Sequence, residues 1–309
     1  MRILVTGGAG FIGSHIVDAY VRAGHEVVVV DDLSTGKREH LPPRVRFLQA
    51  DIQDPAVRQL IAAEKIDIVS HHAAQMDVRR SVADPLYDAR VNIIGILNVL
   101  EGAREAKVKK FIFASSGGAI YGEQETFPAD EEHPTHPISP YGVSKRAGEH
   151  YLYFYRAEYG LPYIALRYAN VYGPRQDPHG EAGVVAIFTQ RLLAGEQPVI
   201  NGDGEQTRDY VFVGDVAQAN LAALQAEYTG PLNIGTGSET TVNQLFTTLR
   251  NLTGSAAREV HGPAKPGEQR RSVLTWDHAA QVLHWRPTVG LEDGLRQTVT
   301  YFRTRHDRH

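Results

Sequence analysis

The octapeptide TGGAGFIG, residues 6–13, closes the apolar run RILVT (2–6) and leads directly into FIGSHIVDAYVRAG (11–24). A β-branched run, three glycines and then a helical period describe a strand that turns sharply into a helix. The glycines Gly7, Gly10 and Gly13 keep a G-x-x-G-x-x-G spacing. Glycine lets the backbone turn tightly and approach a pyrophosphate, whose charge the amides of a helix N-terminus stabilise. Three glycines alone describe any tight turn; their place after an opening strand points to a dinucleotide.

The same alternation continues down the first half of the chain. EVVVVD (26–31), RVRFLQA (44–50), DIVSHHA (67–73), KKFIFAS (109–115) and PYIALRY (162–168) read as further strands. Helical segments DPAVRQLIAAE (54–64), residues 84–106 and residues 139–160 separate them. Nearly continuous apolar strands alternating with helices predict a Rossmann-type, doubly wound parallel sheet covered on both faces. After Tyr168 the texture changes. Loops at 172–183, 200–209 and 261–269 are rich in Pro and Gly, with two helices expected at 213–227 and 241–254. The division expected is a nucleotide-binding domain over 1–168 and a smaller, closely packed α/β substrate domain over 169–309, some of it packing back on the first.

Composition excludes several classes. Of 309 residues, 42% are hydrophobic and 22% charged, which is ordinary for a globular chain. A net charge of −4 leaves no basic footprint for nucleic acid. No apolar run approaches a membrane span, and the N-terminus has no secretory pattern, so a cytoplasmic address is expected. Cysteine is absent, which removes disulfides, thiolate nucleophiles and Cys-ligated metals. His71–His72 and the His133–His136 run lack metal-ligand spacing, so no metal is expected. Asn251–Thr253 matches a glycosylation pattern by accident, given no secretory segment.

Two further features carry chemistry. Asp31 ends the second strand about 20 residues beyond the glycines, where a carboxylate can hold the adenosine ribose hydroxyls. With Asp32 beside it, a 2′-phosphate is repelled, which favours NAD; Lys37 and Arg38 pull the other way. Asp51–Ile52 follows the third strand and fits the adenine edge. Tyr141 and Lys145, in SPYGVSKRAGEHY, lie four apart on one helix face. A free tyrosine has a pKa near 10, so acting as a base near pH 7 needs a shift of roughly three units, about 4 kcal/mol. A neighbouring ammonium and a cationic nicotinamide both favour the phenolate.

TGGAGFIG, DDLSTG, DI, HHAAQ, YGVSK, RYANVYGPRQ and RDYVFVGDVA, in this order, resemble the extended short-chain dehydrogenase/reductase family. Within it the chain is most similar to the UDP-glucose 4-epimerases and close nucleotide-sugar epimerases, from Met1 to about Trp285. The resemblance implies NAD as a retained cofactor and a UDP-sugar substrate. It makes Tyr141 and Lys145 the proton-transfer pair, with Lys145 also on the nicotinamide ribose. It further implies cofactor contacts from Gly7, Gly10, Phe11, Ile12 and Gly13; from Asp31, Asp32, Ser34, Thr35 and Gly36; from Asp51 and Ile52; and from Ala73, Ala74, Gln75, Asn92, Ser115 and Tyr168.

One position departs from the pattern. Gly117 stands where many such epimerases carry a Ser or Thr that hydrogen-bonds the reacting sugar oxygen, and Ser116 is the expected substitute, with water as the alternative. On the substrate side the resemblance implies Asn170 and Arg208 on the diphosphate, Val184, Val199 and Asn201 around the nucleotide, and Glu268 on the uridine ribose. Lys265 replaces a second phosphate-binding arginine, a point charge for a fork, with Arg270 and Arg271 nearby. Ser272 stands where some relatives close the hexose pocket with a large residue, so UDP-N-acetylglucosamine joins the expected substrates. UDP over dTDP rests on resemblance alone.

The activity implied is hydride removal from sugar C4, turnover of the 4-keto sugar, and hydride return to its opposite face. A UDP-glucuronate epimerase is a close alternative. A dehydratase or decarboxylase needs acidic residues where this chain has Gly118 and Ala119. A reductase with dissociable NAD, and a non-catalytic NAD-sensing module, are the readings of a different kind. The family's paired helices, here 84–106 and 140–159, imply a homodimer, with the aromatic run 151–159 as core or interface.

Overall fold

The computed structural model describes residues 1–178, 183–264 and 269–306. Six strands of the first half form where they are expected: β1 (Arg2–Thr6), β2 (Glu26–Asp31), β3 (Arg46–Gln49), β4 (Ile68–His71), β5 (Lys110–Ser116) and β6 (Tyr163–Tyr168). Short strands follow: β7 (Asn170–Tyr172), β8 (Ile200–Asn201), β9 (Thr207–Arg208), β10 (Tyr210–Phe212) and β11 (Gly230–Ile234). The main sheet is parallel with order β11-β6-β5-β4-β1-β2-β3. β11 comes from the second half of the chain and was not anticipated, because GPLNI is short and carries Gly and Pro at its start.

The strands are apolar on both sides, and each side has its own core. Ile3, Val5, Ile112 and Ile164 pack with helix α1 (Phe11–Arg22) on one face. Leu4, Val69, Phe111 and Phe113 pack on the other, with α2 (Pro55–Ala63), α5 (Gly95–Glu105) and α7 (Pro140–Tyr159). Between α2 and α5 lie α3 (Val78–Ala83) and α4 (Pro85–Ala89); the short α6 (Gly117–Ile120) precedes α7. After α7 come α8 (Val184–Leu193), α9 (Val213–Ala223), α10 (Val242–Thr253), α11 (Asp277–Leu283) and α12 (Leu291–His306). Helices α8, α10 and α12 enclose a third core around Phe188, Phe246 and Leu295.

Helix ends follow local chemistry. Asp54 accepts from Ala56 N at 2.8 Å and Pro55 opens α2. Ser139 caps α7, Pro140 takes its first position, and Gly160 ends it in the left-handed region at φ 70°. The helix expected over 84–106 is not uniform. Arg90–Ile94 is a π-helical turn between α4 and α5, within which Asn92 turns its amide inward.

Candidate active site

Strand order reverses between β1 and β4, and ligands of such sheets sit at the carboxyl ends there. The TGGAGFIG turn lies at that switch point. Gly7 adopts φ 67°, and a Cβ there would stand 2.5 Å from Ala73 N. A Cβ on Gly13 would overlap the Gly7 carbonyl oxygen. The turn can therefore pack against itself and against Ala73 this closely only because both are glycine. α1 begins at Phe11–Ile12, aiming its first amides at the cradle.

Asp31 stands across from this turn, 6% exposed. Its carboxylate accepts from Ala9 N and Leu33 N, both at 2.9 Å. Burial raises its pKa, against those hydrogen bonds. Asp32 is exposed and accepts from the Ser34 amide and hydroxyl at 2.9 and 2.7 Å, folding the Ser34–Thr35–Gly36 turn. Asp51 is exposed and bonded to Gln53 N, with Ile52 buried behind it. Ala73 N approaches Thr6 Oγ1 at 3.3 Å, so Ala73–Ala74 line the same edge. Gln75 and Asn92 pair reciprocally: Gln75 N donates to Asn92 Oδ1 at 2.9 Å and Asn92 Nδ2 to Gln75 O at 2.7 Å.

The first turn of α7 brings Tyr141 to this edge, half-buried. Gly142 permits the approach: a Cβ there would sit 2.6 Å from the Ala119 carbonyl oxygen. One turn on, Lys145 is 4% exposed and donates from Nζ to Ala114 O at 2.8 Å. Its Nζ lies 4.9 Å from the Phe113 ring centre and 5.7 Å from that of Tyr141. Burial pulls the Lys145 pKa down to about 8, with the Asp88 charge opposing. Ser116 ends β5, half-buried, immediately before α6.

Ser115 points away from this edge: its hydroxyl donates to Glu149 Oε1 at 2.6 Å. Glu149 in turn takes a bidentate pair from Arg167, at 2.9 and 2.8 Å, both residues buried. Tyr168 is buried, hydrogen-bonded to His72 Nε2 at 3.1 Å and Asn220 Nδ2 at 2.8 Å, and burial raises its pKa far above the usual value.

The Gly117 departure has a steric partner. A Cβ at 117 would overlap Leu274 Cδ1 and stand 3.3 Å from the Arg167 carbonyl oxygen. A Cβ at Gly118 would meet nothing closer than Asn170 Oδ1, at 3.6 Å. Asn170 is exposed on β7, and Arg208 is half-buried on β9, its Nη1 donating to Thr207 O at 2.8 Å. Val184 opens α8, Val199 is 41% exposed, and Asn201 is half-buried on β8. Arg270 pairs with Asp203 and Arg271 with Glu239, each through two hydrogen bonds. Lys265 and Glu268 lie outside the described residues. Ser272 is 3% exposed.

Asp88, fully buried on α4 and bonded to Ser144, the residue before Lys145, was not anticipated from the sequence. It accepts from Gln75 Nε2 and Asn92 Nδ2 at 3.0 Å each, and from Ser144 Oγ at 2.6 Å. The signal available was the Asp88–Asn92 spacing of four, which can place two polar residues on one helix face. Among the described residues no His, Asp or Glu group could hold a metal ion, and no helix is long and apolar enough to cross a membrane.

A family model, that of the NAD-dependent epimerase/dehydratase family, matches residues 3–235. The chain is 52% identical to a UDP-glucose 4-epimerase from Thermotoga maritima whose crystal structure holds UDP-glucose; 99% of this chain and 100% of that one align with a TM-score of 0.97. A UDP-glucose 4-epimerase from Thermus thermophilus, in complex with NAD, is 48% identical over 98% of this chain and 99% of that one, with a TM-score of 0.94. A UDP-glucose 4-epimerase of Mycolicibacterium smegmatis is 46% identical over 99% of each chain.

Proposed function

This chain belongs to the NAD-dependent epimerase/dehydratase family, and from that premise we propose that it is a UDP-glucose 4-epimerase, interconverting UDP-glucose and UDP-galactose. The observation that carries the reading is the placement of Tyr141 above a buried, charged Lys145 at the edge where the glycine cradle opens. That cradle, with Asp31 across from it, fits NAD: amides for the pyrophosphate, a carboxylate for ribose hydroxyls, and a second carboxylate on Asp32 to repel a 2′-phosphate.

Tyr141 takes the proton of the sugar 4-hydroxyl and returns it, and the Lys145 ammonium lowers the cost of the phenolate. NAD, held by the glycine cradle and Asp31, would supply the acceptor and donor for the hydride at sugar C4. Ser116 supplies the second hydrogen bond to the reacting oxygen, because Leu274 fills the space a side chain at 117 would need. Asn170 and Arg208 hold the diphosphate, with Lys265 as a further cation and Glu268 on the uridine ribose; Val184, Val199 and Asn201 border the base. Gly118 and Ala119 offer no acid or base for elimination, which disfavours a dehydratase.

The small Ser272 favours a second substrate, UDP-N-acetylglucosamine, whose C2 substituent needs the room. A homodimer fits the apolar surface: Val82, Leu86, Ile94, Tyr153 and Phe154 are all exposed along the α3–α5 segment and α7. A cytoplasmic location accords with the cytosolic supply of nucleotide sugars this reading requires. The test is incubation with UDP-glucose and no added NAD. UDP-galactose formed in proportion to enzyme, and lost in Tyr141→Phe, supports the reading; net NADH production or no product rejects it.

A further inference from the structure

Lys145 must remain an ammonium in an almost dry site, and few groups can help it. Phe113 and Ala114 of β5 give it a ring face and one carbonyl. From β4, His71 packs against Phe113, its Nδ1 within 2.9 Å of Thr6 Oγ1, and burial holds its pKa well below the ordinary value. His72, next along, is held down to about 4, so neither ring supplies charge at neutral pH. On α7 itself, Tyr141 is one turn before, and Glu149 one turn after, its charge committed to Arg167 and Arg146. α4 contributes Asp88, whose hydrogen-bond partners among the described residues are all uncharged.

Asp88 is also the node that joins two sides of the site. Its Oδ2 takes the Ser144 hydroxyl, the residue before Lys145. Its Oδ1 takes Gln75 and Asn92, the pair that closes the Ala73–Gln75 loop at the glycine cradle. The π-helical turn Arg90–Ile94 is what brings Asn92 into this set.

We infer that Asp88 is a positioning residue for the proton-transfer pair: its buried carboxylate locks the cofactor-side loop to α7 and supplies the negative charge that keeps Lys145 protonated. The inference deepens the epimerase reading and rests on it for its consequence, but its first readout does not. Every hydrogen-bonding group in the set can be kept with an amide in place of the acid. The amide oxygen introduced by Asp88→Asn would still accept from Gln75 and Asn92, and its nitrogen could donate to Ser144 Oγ. The substitution therefore removes charge with little change of shape.

The chain has seven lysines, so an NMR titration of the holoenzyme labelled at the lysine ε-carbon can follow each, with Lys145→Met identifying the buried one. The expected result is a Lys145 midpoint about one to two units lower in D88N than in the wild type. The alkaline limb of kcat for UDP-glucose moves down with it, giving roughly a five- to fiftyfold loss at pH 8 and at most about a fourfold loss at pH 6.5, with KM unchanged. A purely structural role lowers kcat alike at every pH and leaves the midpoint in place; that result overturns the inference. Asp88→Glu is the second arm should the amide variant not fold. It keeps the charge, so its Lys145 midpoint must stay with the wild type, and a midpoint that falls overturns the inference equally. A wild type with no epimerase activity would sink the functional reading while leaving the titration to decide the role of Asp88.

Discussion

Gly117 and Leu274 form a size-matched pair, and a four-protein cycle measures it. Leu274 is fully buried with Ile120, Tyr121 and Ala129, and its amide is held by Asp209 Oδ2 at 3.2 Å. Gly235 packs close beside it, where a Cβ would come within 3.0 Å of the Leu274 Cβ. Gly117→Ser places new atoms on the Leu274 Cδ1 position, with the Arg167 carbonyl blocking retreat at 3.3 Å. Overpacking of this kind costs about 1–3 kcal/mol. Leu274→Ala alone leaves a cavity and costs about 2–5 kcal/mol. In the double variant the serine enters space the leucine has left, so its cost falls short of the sum of the two single costs by about 1–3 kcal/mol. Urea unfolding of the four NAD-saturated proteins gives each value from the midpoint and slope. A Gly117→Ser protein as stable as the wild type, or strictly additive costs, would refute the packing argument and reopen position 117 as a site that could carry the missing hydroxyl.

Two other expectations concern stability. Burial depresses the pKa of both His15 and His72 to about 4, while the unfolded chain takes up protons near 6.5. The stability these rings contribute is complete above pH 6.5 and is lost as pH falls from there to about 4, on the order of 2–3 kcal/mol for each. Urea midpoints measured across that window should fall, and less steeply in His72→Gln; a flat profile would contradict the burial account. Breaking the Glu149–Arg167 pair with Glu149→Ala strands a buried guanidinium and should cost about 3–5 kcal/mol, whereas Glu149→Leu with Arg167→Met should recover most of that loss. Equal losses in the single and double variants would show that packing, not the uncompensated charge, dominates.

Much of this arrangement is legible in the residues. The strand–glycine–helix opening and the apolar strands specify a parallel sheet and its switch point, because each is a local pattern with a single geometric solution. Tyr141 and Lys145 are legible for the same reason, being one helical turn apart. What was hidden is held by contacts between distant segments. β11 becomes a strand by pairing with β6, not through its own propensity. Asp88 reads as one more polar residue on a helix until Gln75, Asn92 and Ser144 converge on it from three elements. The meaning of Gly117 likewise depends on Leu274, 157 positions later in the chain, which no local pattern could connect to it.

Central to the proposed mechanism is a hydride that leaves and re-enters the same sugar within one bound state. UDP-glucose deuterated at C4, incubated with the holoenzyme and excess free NAD, tests that directly. Mass spectrometry should find the UDP-galactose product with its C4 deuterium fully retained, and no deuterium in the free nicotinamide pool. Deuterium exchanged to solvent or carried away on free NADH would contradict it.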